Sequence, residues 1–147
     1  MRYRVMIESR DAEEAVVRAV QWADGAMRVV QLPQRPRMEL HLALDEMVAN
    51  VARHAYPEGA TCRIWLSIER RADEVRVVVA DRGIPFNPLR HVRAPEDAPL
   101  DQRRVGGLGI FLTTRMVDEI RYRRRDGRNT LTMVKRIASS ADVSPSG

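Results

Sequence analysis

Between Thr61 and Asp81 apolar and polar residues alternate through two successive runs. Cys62, Ile64, Leu66 and Ile68 fall on one side of an extended chain, while Arg63, Trp65, Ser67 and Glu69 fall on the other. Arg71-Ala72-Asp73 is short enough to turn the chain back, and Glu74 to Asp81 repeats the pattern with Val75, Val77 and Val79 on its apolar side. By the same period of two, Asp81 shares that apolar side. Strands buried on both faces read as continuous apolar runs, so this hairpin belongs to an antiparallel sheet covered on a single side. The rest of the chain must supply the cover.

It holds three candidate helices. Tyr3 to Glu8 alternates as a first strand, and Asp11, followed three residues later by Glu14, caps a helix running to about Met27 with Val16, Val17, Val20 and Ala23 as its buried stripe. Pro33 and Pro36 mark a loop before a second helix, Arg37 to Tyr56, which Pro57 and Gly59 close. Arg82 to Val105 contains Pro85, Pro88, Pro95 and Pro99, has no period, and reads as a long loop of the kind that forms lids. A third helix follows Gly106 and ends near Val117. Strands at Glu119 to Arg124 and Thr130 to Lys135 flank a turn at Asp126-Gly127-Arg128-Asn129. The expected fold is α+β: a two-layer sandwich, mostly antiparallel sheet, covered on one face by about three helices. Residues 1–137 make one domain, and 138–147, small and polar, read as a disordered tail.

Composition narrows the partners. The 147 residues carry 25 basic and 20 acidic side chains, a formal net charge of +5, with Lys135 as the single lysine. The arginines are scattered among acids, and only 5% of residues are aromatic, too few for a stacking groove on single strands, so no direct nucleic-acid contact is expected. No uncharged run approaches the ~18 residues of a membrane span. Cys62 is the only cysteine, so neither an internal disulfide nor a cysteine-rich metal site can form; a cytoplasmic setting fits.

Three segments carry chemistry. On the second helix, Leu40, Leu44, Met47, Val48, Val51 and Ala55 share one arc. Glu39, Glu46, Asn50 and Arg53 share another, with Glu46 and Asn50 at i and i+4, about 6 Å apart. That second arc is either a solvated stripe or a site, since Asn within a helix competes for backbone hydrogen bonds. Asp81-Arg-Gly-Ile-Pro-Phe86 leaves a strand end: the carboxylate can accept from the exocyclic amine of a base, and Gly83 permits close approach, although Asp-x-Gly is also a common turn. Gly106-Gly107-Leu108-Gly109 precedes a helix, where free N–H groups favour anions, although a plain loop-to-helix junction has the same composition. The spacing is neither a P-loop nor a dinucleotide fingerprint.

In order and spacing, the three together resemble the GHKL nucleotide-binding fold of gyrase, the heat-shock chaperone and sensor histidine kinases. Within it they are most similar to the RsbW-like and SpoIIAB-like anti-sigma factor serine kinases. Glu46-Met-Val-Ala-Asn50-Val-Ala-Arg-His54-Ala-Tyr56 looks like the N box, Asp81 to Phe86 like the first glycine box, and Gly106 to Lys135 like the second, so the resemblance extends to Arg136. Met47 departs from the usual Ala, and Asn87 stands where an Asp often follows the Phe. The resemblance implies ATP and Mg²⁺ as cofactors: Asn50 as the magnesium ligand, Glu46 as general base beside the γ-phosphate, and Asp81 and Gly83 on adenine. Arg53, Phe86, Gly106, Gly107, Leu108 and Gly109 would complete the nucleotide site, with Arg103 or Arg104, from a loop corresponding to the ATP lid, reaching the γ-phosphate. It also implies a homodimer that sequesters a sigma factor and phosphorylates a serine or threonine on a STAS-type anti-sigma factor antagonist. The alternative is a nucleotide-binding partner switch without phosphotransfer. His41, His54 and His91 lack the acidic, proline-bearing surroundings of a phosphoacceptor histidine, which favours a serine kinase over a histidine kinase.

The strand assignments place Arg4, Arg63, Arg76, Arg121 and Arg123 on the sheet face opposite the helices. That face is either a solvated surface or a dock for an acidic protein.

Overall fold

The computed structural model describes residues 1–91 and 107–138. The expected loop residues 92–106, with Arg103, Arg104 and Gly106, and the expected tail 139–147 lie outside them. The elements run β1 (Arg2–Ser9), α1 (Ala12–Val29), α2 (Gln34–Asn50), β2 (Cys62–Arg70), β3 (Glu74–Asp81), α3 (Gly107–Met116), β4 (Glu119–Arg125) and β5 (Arg128–Arg136). The five strands form one sheet in the order β1-β2-β3-β5-β4, and every neighbouring pair is antiparallel. This is the α+β sandwich that the alternation requires. One row across the sheet, Val5, Leu66, Val79, Leu131 and Tyr122, points toward the helices. The next row, Met6, Trp65, Ala80, Thr130 and Arg123, points away. Arg4, Arg63, Arg76, Arg121 and Arg123 do share the outer face.

Helix α1 is capped as its sequence suggests, because the Asp11 side chain accepts from the N–H groups of Glu13 and Glu14. The return half of the capping box is relayed: Glu14 Oε2 accepts from Ser9 Oγ at 2.9 Å, and Ser9 Oγ accepts from Asp11 N at 3.0 Å. The buried stripe differs from the expected valines. Ala15, Ala19, Ala23, Ala26 and Met27 are buried, Val16 and Val20 are only partly so, and Val17 is 53% exposed. Small side chains let the helix axis approach the layer beneath it, and the wider valines are turned to the flanks.

Helix α2 starts earlier than its prolines suggest. Pro36 lies in the first turn, where a missing N–H breaks no intrahelical bond. Its whole expected core arc is buried: Leu40, Leu44, Met47, Val48, Val51 and Ala55. After Asn50 the helix widens into a π-turn, Val51–Ala55. The freed Ala55 carbonyl accepts from Ile84 N at 2.8 Å, so the helix end is satisfied by the loop after β3.

Two further differences are local. Pro88–His91 forms a short 3₁₀ turn inside the expected loop. The β4–β5 turn is tighter than expected, with positive φ at both Asp126 (52°) and Gly127 (73°), as a two-residue type I′ hairpin requires. Asn129 is therefore a strand residue.

Candidate functional site

Strand β3 delivers Asp81 to the helix side of the sheet, where it is 2% exposed. Asp81 Oδ1 accepts from Gly83 N at 2.8 Å and from Asn129 Nδ2 at 2.8 Å, its register partner on β5. Both bonds fall on one oxygen, which leaves Oδ2 as the acceptor available to a ligand. Burial pushes the Asp81 carboxyl above its ordinary range, while the hydrogen bonds from Asn129 and Gly83 pull the other way. Asn129 is itself fixed. Its Oδ1 accepts from Tyr122 OH at 2.5 Å and from Arg124 Nη1 at 2.9 Å, and its Nδ2 also donates to Ile84 O at 2.8 Å. Arg124 Nη1 reaches on to Gly83 O at 3.0 Å, closing a network around the Asp81–Ile84 turn.

Gly83 packs on the π-turn. A Cβ built there would overlap the carbonyl carbon, oxygen and Cβ of Ala55, so the loop can lie this close only without a side chain. Tyr56 ties the same corner together by donating to Arg63 O at 2.7 Å and accepting from Arg82 N at 3.2 Å. Burial raises the Tyr56 phenol above its ordinary pKa. Phe86 is stacked with His54 at 4.9 Å between ring centroids. Phe86 therefore sits over the widened helix end, as part of the wall beside Gly83.

At the other end of the same helix face, Asn50 is 4% exposed, so the solvated-stripe reading does not hold at that residue. Its Nδ2 donates to Glu46 O at 2.8 Å and to Glu46 Oε1 at 3.3 Å. With the amide donors turned inward, Oδ1 accepts no hydrogen bond among the described residues, and it is a hard oxygen ligand of the type Mg²⁺ takes. No group of three or more His, Cys, Asp or Glu residues gathers among the described residues. The donors present fit a cation held largely by phosphates and water rather than an all-protein cage.

Helix α3 opens at Gly107, so its first N–H groups lack intrahelical partners, and it places Gly109 directly against Glu46. A Cβ on Gly109 would overlap Glu46 Cδ and both carboxylate oxygens. Leu108 follows Gly107 in the first helical turn. The Glu46 carboxylate, the Asn50 side chain and the start of α3 thus lie together at one end, with the buried Asp81 carboxylate at the other. Nine residues separate Glu46 from Ala55, a helix rise of ~13 Å.

Arg53 is the expected site residue that the structure does not join to the others by any hydrogen bond or ion pair among the described residues. It is exposed and lines a groove with Arg10, Asp11, Tyr56 and Glu58. Conversely, sequence reading missed Tyr122, Arg124 and Asn129. The signal was available: counting back by two from Met133 and Leu131 puts Asn129 on the core face, opposite Asp81.

Residues 9–135 match the family described as the histidine kinase-like ATPase domain. The serine/threonine-protein kinase BtrW of Bordetella bronchiseptica is 30% identical over 120 residues, covering 82% of this chain and 84% of that protein. The serine-protein kinase RsbW of Halalkalibacterium halodurans is 31% identical over 93 residues, covering 60% of this chain and 56% of that protein, so the match spans little more than half its length. Among solved structures, the RsbU and RsbW domains of Rv1364c from Mycobacterium tuberculosis superpose with a TM-score of 0.60 at 17% identity, over 92% of this chain and 34% of that one. A chain of the SiaB–SiaC complex from Pseudomonas aeruginosa superposes at 0.54 with 16% identity, over 90% of this chain and 89% of its own. At these identities the superpositions bear on the fold. No helix among the described residues is long and apolar enough to cross a membrane.

Proposed function

The chain belongs to the histidine kinase-like ATPase domain family, and on that premise we propose that it is an ATP-dependent, magnesium-requiring serine/threonine protein kinase of a partner-switching pair. It would phosphorylate a STAS-type antagonist and sequester a sigma factor, acting as a homodimer in the cytoplasm. The similarity to the kinases BtrW and RsbW supports the reaction class. The observation that carries the reading is the contact of Glu46 with Gly109, with Asn50 holding Glu46 from behind.

In this reading Asp81 Oδ2 accepts from the exocyclic amine of adenine, and the flat Gly83 turn leaves room for the ring. The N–H groups of Gly107, Leu108 and Gly109 face the phosphates. Magnesium would be held by Asn50 Oδ1 and the phosphate oxygens, and when bound it neutralises charge on the transferring group. Glu46 is poised to accept the proton of an incoming serine hydroxyl and to orient its oxygen in line. Gly109 leaves space for that carboxylate to swing without leaving the site. Arg103 and Arg104 remain the candidates for a cation on the γ-phosphate.

The test is phosphoryl transfer. Incubated with γ-labelled ATP and candidate STAS-type antagonists, the protein labels one of them on serine or threonine. Binding of Mg-ATP with no transfer to any antagonist that it demonstrably binds would point instead to a partner switch without kinase activity.

A further inference from the structure

The sheet face turned away from the helices is not uniformly charged. Apart from Trp65 on β2, two neighbouring rows on the three central strands carry small side chains: Ser67 on β2, Val78 and Ala80 on β3, Thr130 and Thr132 on β5. The edge strands stand higher. Arg4 and Met6 rise from β1, and Arg121 and Arg123 from β4, in the same two rows across the sheet. Met6 is 45% exposed, unusual for an unbranched apolar chain on a charged face. Trp65 stands on β2 between Met6 and Ala80, with the Arg128 guanidinium 5.2 Å from its ring centroid. The concavity bounded by Arg4, Met6, Trp65, Ser67, Val78 and Arg128 encloses about 580 Å³. A neighbouring one of about 430 Å³ extends it past Arg128 to Arg123 and Arg125.

Charge on this face is unevenly neutralised. Arg2 pairs with Glu69, Arg63 with Glu8, and Arg121 with Glu119, all toward the rim. Arg4, Arg123 and Arg128, which border the trough itself, form no ion pair among the described residues. A chain that only needed a soluble sheet face could have paired them as it paired the others.

We propose that this trough docks an acidic amphipathic helix of a protein partner. The dimensions fit. Edge strands β1 and β4 are four strand spacings apart, ~19 Å, which admits a helix ~10–12 Å across with room for carboxylates to reach the arginines on either side. Strands of 7 to 9 residues span roughly 23–30 Å, the length of about 15–20 helical residues. An apolar stripe would lie on Met6, Trp65 and Val78, and flanking acids would face Arg4 on one wall and Arg123 on the other. The composition of the face argues against two other occupants. Trp65 is its only ring among the described residues, too few for a row of stacked bases, so nucleic acid fits poorly. A second copy would bring Arg4, Arg123 and Arg128 against one another.

The test uses the full chain and a fluorescein-labelled ~15-residue helical peptide with leucines at i, i+3, i+7 and i+11 and glutamates flanking them. Anisotropy should report saturable binding that weakens ~10-fold or more in R4E/R123E and in W65A. It should also weaken as ionic strength rises from about 0.01 to about 0.15 M, where the Debye length falls from ~30 to ~8 Å. A matched reversal elsewhere, R10E/R37E, should change affinity less than about threefold. All variants are checked for an unchanged thermal midpoint and Mg-ATP affinity. The proposal is overturned if the peptide does not bind, or if both reversals weaken it equally. It is equally overturned if a single-stranded oligonucleotide binds the trough more tightly, or if R4E/R123E converts a dimer to a monomer.

Discussion

Asn129 Nδ2 donates to Asp81 Oδ1 at 2.8 Å, directly across the register that pairs β3 with β5. In the proposed site, this bond decides which oxygen of the carboxylate is left for a ligand. Asn129 is held in turn by Tyr122 and Arg124, so its donor cannot rotate away without breaking two bonds to its own carbonyl oxygen. Asn129→Ala should leave Asp81 free to turn and should weaken Mg-ATP binding about tenfold or more, since a hydrogen bond to a charged group is worth ~1.5–3 kcal/mol. Calorimetry on the variant checks this. Affinity within twofold of the parent would mean that Asp81 needs no such restraint.

The buried Asp81 also has a cost that pH can expose. Its carboxyl titrates above its ordinary value of 3.8 because burial disfavours the charge. The native state therefore binds this proton more tightly than the unfolded chain. The resulting loss of stability is absent below the unfolded pKa, grows as pH rises from there through the folded pKa, and is complete above it. Asp81→Asn removes that loss. Relative to the parent, the variant should gain thermal stability progressively from acid to neutral pH while losing affinity for Mg-ATP. Parallel melting curves across pH would contradict the assignment.

Two glycines should respond differently to alanine. At Gly83 the new methyl meets Ala55 backbone, which cannot yield without unmaking the π-turn, so Gly83→Ala should destabilise by roughly 1–3 kcal/mol, the usual cost of overpacking. At Gly109 the methyl meets the end of the flexible Glu46 side chain. Gly109→Ala should melt close to the parent and yet transfer phosphate poorly. Chemical denaturation separates the two, and equal losses of stability would place backbone, not a carboxylate, behind Gly109.

Lys135, the single lysine, joins two helices from β5. Its ammonium donates to Met116 O at 2.6 Å at the end of α3 and is paired with Glu39 on α2. Lys135, more than Arg35, holds the Glu39 carboxyl below its ordinary 4.5. A lowered acid contributes stability that is present above the unfolded value and is lost as pH falls through the folded one. Lys135→Met should cost about 1 kcal/mol at neutral pH, the scale of a cation at a helix C-terminus, and less in acid. A cost that does not shrink on acidification would contradict the pairing.

Where the sequence has a strict period, it already contained the architecture. The alternation of Cys62–Arg70 and Glu74–Asp81 implies the sheet, its single covered face and the inward aim of Asp81, because a period of two leaves no freedom in which side is buried. The core arc of α2 is legible for the same reason. The α1 stripe is not, because alanines and valines differ little in polarity. Which set is buried depends on how closely the helix approaches its neighbours, a property of the layer beneath. The π-turn after Asn50 is equally hidden, since its cause is the Ala55–Ile84 bond made by a loop distant in sequence. Glu46, Asn50, Asp81, Gly83 and Gly109 stand out through their spacing. Tyr122, Arg124 and Asn129 act through one another, and only the strand register brings them together.

The most direct measurement compares Glu46→Gln with the parent in two assays, Mg-ATP affinity by calorimetry and the rate of γ-phosphoryl transfer to the antagonist. Gln keeps the size of the side chain and its contact with Asn50 but cannot take up a proton. If Glu46 is the general base, affinity should stay within a few-fold while transfer falls ~10²-fold or more, the range such catalysis supplies. An unchanged rate of transfer in the variant would contradict the account.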